Sequence, residues 1–86
     1  SGEEVFRVKL EQAFEAWLSR LDHLFQQAQE AGELPNHLNT RALAEFFICS
    51  VEGTLMRCKV VKSRQPFDVF YQVFFHGIGH IQPSTV

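Results

Sequence analysis

NTRALAEFFICSVEGTLMRCKVVK, residues 39–62, and PFDVFYQVFFHG, residues 66–77, decide the fold of this 86-residue chain. Both read as helices, and both leave almost no side of themselves polar. With each residue stepped by about 100°, Phe67, Phe70, Tyr71, Phe74 and Ile78 fall on one face of the second stretch, with Phe75 at its edge. Val69 and Val73 form another apolar strip nearly opposite, and only Asp68, Gln72 and His76 make a polar wedge. In the longer stretch Arg41, Glu45, Glu52 and Lys59 share one narrow line, and nearly everything else is apolar or small. A helix facing one core needs one apolar stripe, whereas a helix apolar nearly all round must be surrounded. Three helices cannot surround two of their own number. The pattern predicts a partner.

Working outward, residues 3–31 predict an ordinary amphipathic helix. Phe6, Leu10, Ala13, Phe14, Trp17, Leu21, Leu24, Phe25 and Ala28 make one stripe, and Glu11, Glu15, Asp22, Gln26 and Glu30 are expected to face water. Glu3 and Glu4 suit the anion-favouring end of the helix dipole. Gly32 is the expected C′ residue, with Pro35 blocking continuation. Asn39 is the expected N-cap of the second helix, with Leu38 and Leu43 placed for a hydrophobic staple. Gly53, near Ser50 and Thr54, is costly inside a helix, by about 1 kcal/mol relative to Ala, and reads as room for the close approach of another helix. Pro66 fits the first turn of the third helix. Gly77 and Gly79 are expected to end it, and Pro83 to begin a frayed tail. No strand and no repeat is expected.

Composition bounds the function. A chain of this length is one domain at most and buries about 60% of its unfolded surface alone. Nine Phe, one Trp and one Tyr are too much aromatic surface for so small a core, and exposed apolar patches mark interfaces or ligand grooves. The formal net charge of −2 offers no general attraction to nucleic acid or to anionic membrane. No apolar run approaches the ~18 residues of a membrane span, and no signal peptide is expected. Cys49 and Cys58 stand nine positions apart in one helix, about 180° apart in azimuth and ~13 Å along the axis, which excludes a bridge between them. Two unpaired thiols suit a reducing cytoplasm.

In order along the chain, Ala13-Phe14-Glu15-Ala16-Trp17, Ala28-Gln29-Glu30-Ala31-Gly32-Glu33-Leu34, Leu43-Ala44-Glu45-Phe46-Phe47, Glu52-Gly53 and Lys62-Ser63-Arg64-Gln65-Pro66 resemble the C-terminal regulatory domain of tetracycline-repressor (TetR) family transcription factors. The resemblance spans about four-fifths of the chain. It implies an all-α fragment over residues 1–86 that pairs with its twin through a four-helix bundle built from the last two helices. It also implies a pocket for a small, hydrophobic ligand whose binding releases operator DNA. The family's N-terminal helix-turn-helix is missing from these 86 residues, so DNA contact is expected only through that domain, and no sequence-specific DNA binding is expected of this chain.

The expected dimer contacts are Phe46, Ser50, Gly53, Arg57, Phe70, Val73 and Phe74, with the inward-facing strip left open. Arg57, on an otherwise apolar side, is expected to find a carboxylate or carbonyl. The expected pocket residues are Phe14, Trp17, Leu21, Phe47 and Val51, although Phe14 and Trp17 at mid-stripe equally fit plain core. Cys49, among Phe46, Phe47, Ile48 and Val51, is expected to be a small buried hydrophobe. Cys58, between Arg57 and Lys59, is the candidate reactive thiol, against the alternative of an inert packed one. His76 and His80 stand four apart as a metal pair might, but the glycines around them and the lack of a third ligand favour exposed histidines at a helix end, so no metal and no cofactor are expected. No phosphate loop, paired carboxylates or nucleophile–base motif suggests an enzyme. The competing reading is a freestanding helical dimerisation or adaptor module without a ligand.

Overall fold

The computed structural model describes residues 1–78, and these are all helical and irregular structure without a strand. Helix α1 spans Gly2–Glu30, α2 spans Thr40–Val61 and α3 spans Gln65–Val73, running straight into a π-helical turn at Phe74–Ile78. No helix among the described residues is long and apolar enough to cross a membrane. Gly79, His80 and Pro83, which carry the expectations for the helix end, the histidine pair and the tail, lie outside the described residues.

Local signals set the helix ends. Ala31 closes α1, and Gly32 takes φ +77, a left-handed conformation that costs glycine nothing. The Gly32 N–H donates to Gln29 O at 3.0 Å and the Glu33 N–H to Ala28 O at 2.8 Å, the paired bonds of a Schellman motif. Gln29 then reaches over the connection, donating from Nε2 to Pro35 O at 3.0 Å and to Leu38 O at 2.8 Å. The Asn39 side chain accepts the Ala42 N–H at 2.9 Å and so caps α2. At the far end Lys62 takes the left-handed conformation, with φ 54. It turns the chain into α3, where Pro66 sits in the first turn.

Two of the side chains expected to face water do not simply do so. Glu15 forms a two-pronged ion pair with Arg41, at 2.9 and 3.0 Å. Asp22 is half-buried and accepts the hydroxyl of buried Thr40 at 2.5 Å. The reason is the tight connection, which folds the start of α2 back along the polar flank of α1. The third helix also departs from expectation. Its α pitch gives way at Phe74, before Gly77, where the Phe74 N–H is shared between the Phe70 and Tyr71 carbonyls. At the wider turn Phe74 packs on Phe47 at 5.0 Å and meets Phe75 edge to face at 5.0 Å, while Phe75 lies on Tyr71 at 4.9 Å.

The core is small. Leu18, Leu34, Ala44 and Phe74 are its buried apolar residues, joined by a ladder of rings in which Phe47 of α2 touches Phe25 of α1 at 6.3 Å and Phe70 of α3 at 5.7 Å. The Cα extents are 54 × 32 × 14 Å, so the helices lie in a single layer. Domains ordinarily need two packed layers to enclose a core. Here Phe6, Trp17, Leu24, Leu55, Met56, Val60, Val69, Tyr71 and Val73 all remain exposed.

Candidate functional site

Along α1, Phe14, Trp17 and Leu21 recur at helical spacing, and along α2 so do Phe47, Val51 and Leu55. Pairing the two helices through their short connection turns these rows toward each other. Between them lies a cavity of about 430 Å³, lined by the six residues just named together with Ile48, Arg20 and Glu52. That volume is within the range of small-molecule sites. The Phe14 and Trp17 rings meet edge to face, with centroids 5.3 Å apart, and both line the space. Its wall is almost wholly apolar. Arg20 and Glu52 are the charged residues that border it, and neither enters an ion pair among the described residues.

All five residues expected at a pocket therefore surround one space, and Ile48, Leu55, Arg20 and Glu52 were missing from that expectation. Ile48 and Leu55 carried a readable signal, since they flank Val51 on the same side of α2. Trp17 is 51% exposed, so it is a wall of the cavity rather than core.

The seven residues expected at a dimer contact line two adjoining clefts between α2 and α3. Phe46, Ser50, Phe70, Val73 and Phe74 line one, and Ser50, Gly53, Arg57 and Phe70 border the other with Thr54, Gln65, Pro66 and Val69. Phe74 is only 5% exposed, because its ring fills the space between Phe47 and Phe70 of its own chain. A Cβ added at Gly53 would meet nothing within 4 Å, so no helix of the same chain uses the room that this glycine leaves. Arg57 is exposed and has no hydrogen-bond or ion-pair partner among the described residues, contrary to the expectation of a carboxylate or carbonyl beside it.

The thiols correct another expectation. Cys49 is exposed, its Sγ 4.0 Å from a Glu45 carboxylate oxygen, while Cys58 is half-buried. Of its expected cover, Phe47, Ile48 and Val51 turn toward α1, and Phe46, which shares the side of α2 that carries Cys49, is itself exposed. Among the described residues no three His, Cys, Asp or Glu side chains gather as a metal site would require.

The Glu15 carboxyl is held below the ordinary glutamate range, first by the hydrogen bonds from Arg41 and then by its charge. Arg41 is shifted upward by the same bond. This pair ties α1 to α2 beside the cavity rather than within it.

The description "Tetracyclin repressor-like, C-terminal domain" fits the chain over residues 1–74. The HTH-type transcriptional repressor DhaR of Mycobacterium sp. (strain GP1) is 33% identical over 82 residues, covering 95% of this chain and 40% of that protein. The transcriptional regulator AcuR of Cereibacter sphaeroides is 36% identical over 69 residues, covering 80% of this chain and 32% of that protein. The chain thus spans well under half the length of either relative, and both are named as regulators rather than enzymes. No solved structure matches it.

Proposed function

This chain belongs to the tetracycline-repressor-like C-terminal domain family of transcriptional regulators, and from that premise we propose that it is the sensing and pairing part of a cytoplasmic repressor. In this reading residues 1–86 form one regulatory domain. The space between α1 and α2 takes a small, uncharged, apolar molecule. The α2–α3 face joins a second copy in a four-helix arrangement. In the parent protein, DNA is held by a helix-turn-helix domain outside these residues, and ligand binding releases it. The wall of the cavity carries the proposal: aromatic and branched aliphatic side chains converge there with almost no polar atom turned inward, a surface that discriminates by shape and apolar area.

Trp17 supplies the test, because it is the single tryptophan of the chain and borders the cavity. Titration with toluene and with cyclohexanol is expected to change its emission saturably, and Val51→Phe, which fills the space, to abolish the response. A parent chain that gives no saturable change with either probe, yet sediments as a dimer, would favour the adaptor reading instead.

A further inference from the structure

Ala42, Phe46, Cys49, Gly53, Met56 and Val60 follow one another along α2 at intervals of four, three, four, three and four. All six are exposed in the single chain, Met56 and Val60 each at 68% and Phe46 at 47%. This line is distinct from the side that α2 turns to α1, marked by Phe47, Ile48 and Val51. It meets the α3 side only at its edge, through Phe46 and Gly53. An alternating four–three interval averages 3.5 residues, the period that keeps one row of side chains facing a second helix wound beside it. No charged residue interrupts the row from one end of α2 to the other. Glu45, Glu52 and Lys59 flank it on one side, and Leu43, Ser50 and Arg57 on the other.

We propose that this row is an α2–α2 seam between two copies of the chain, running antiparallel, with the two-fold axis passing between Cys49 and Gly53. The proposal rests on the pairing put forward above and adds its register. Size matching argues for it. In this register Ala42 lies opposite Val60 of the twin, Phe46 opposite its Met56, and Cys49 opposite its Gly53. The smallest pair meets at the axis, where Gly53 leaves open room, and a bulky pair stands on either side of it. A parallel seam would instead set Phe46 on Phe46 and Gly53 on Gly53, two turns apart, giving a gap of uneven width.

Charge agrees in part. The antiparallel register brings Glu45 beside Lys59 of the twin at both ends of the seam and opposes the two helix dipoles favourably. Glu52 meets its own counterpart near the axis, but at a wet rim where like charges are well screened. Length sets a limit on what the seam can do alone. The row is about 27 Å long at 1.5 Å per residue, and a strip one helix wide is well short of the ~800 Å² per partner of a stable interface. The exposed Val69 and Val73 of α3, which border the same clefts as Gly53 and Phe46, extend the contact on both sides.

Disulfide trapping reads the register directly. A chain carrying Cys49→Ser, Cys58→Ser, Ala42→Cys and Val60→Cys is oxidised with diamide and mapped by non-reducing mass spectrometry. Links joining position 42 of one protomer to position 60 of the other are expected at least tenfold more often than 42–42 or 60–60 links. A majority of 42–42 and 60–60 links means a parallel seam and overturns the proposal. So does a dimer, established by sedimentation, that forms no link at all. A parent chain that sediments as a monomer overturns the pairing itself, which separates that failure from a wrong register. If the four substitutions prevent folding, Gly53→Leu in the otherwise unchanged chain keeps the idea testable. Association is expected to weaken more than tenfold, and an unchanged dimer refutes closest approach at this glycine.

Discussion

At the level of single residues, Glu15 and Lys62 show two kinds of constraint. The Glu15 carboxyl is shifted down because Arg41 hydrogen-bonds its charged form. A group depressed on folding contributes stability above its unfolded pKa and loses it as pH falls through its folded value. The stability difference between the parent chain and Glu15→Gln is therefore expected near neutrality and should vanish on acidification below the glutamate range. Paired thermal melts across that interval check the sign; a difference that persists or grows in acid contradicts it. Lys62 is a backbone matter. Its left-handed φ of 54 costs a non-glycine residue about 1–2 kcal/mol, partly offset by the greater unfolded entropy of glycine. Lys62→Gly should thus stabilise the chain by about 0.5–1 kcal/mol, readable as a shift in denaturant midpoint. No gain would mean that the lysine side chain does more at this turn than its backbone strain suggests.

At the level of elements, the helices were legible because their signals are local. Gly32 ends α1, Asn39 caps α2 and Pro66 opens α3, each through bonds within four residues of itself or through its own φ. The rows that border the cavity were legible for a related reason, since Phe14, Trp17 and Leu21 share a face wherever α1 is placed. What periodicity could not supply was the choice among faces. Asp22 and Thr40 are 18 residues apart and Glu15 and Arg41 26 apart, so their meeting depends on how the connection folds. Cys49 lost its expected cover because Phe47, Ile48 and Val51 turn toward α1 while Phe46, on its own side, lies open. Phe67 and Phe74 share a face of an ideal helix, yet Phe67 is 40% exposed and Phe74 5%, because α3 packs at its far end and widens there. Phe74→Ala should accordingly cost about 3 kcal/mol, and Phe67→Ala no more than about half of that. Chemical unfolding of both variants under identical conditions checks the ratio; equal losses would mean that α3 packs evenly along its length.

At the level of the whole molecule, the proposed seam makes a prediction about chemistry at a distance from any ligand. Cys49 stands open in the single chain and would lie at the centre of the proposed contact between two. Its alkylation rate should fall as protein concentration rises, while that of half-buried Cys58 changes little. Timed labelling across a thousandfold range of concentration, read residue by residue, tests this, and an unvarying rate at Cys49 removes the seam. The 14 Å thickness of the helical layer has a broader consequence. A layer that thin keeps no residue far from an open face, so under the proposed pairing the chain's stability would rise with its own concentration by mass action. With that pairing, a newly synthesised copy in a sparse population would spend more time open to proteases than the same copy in a crowded one.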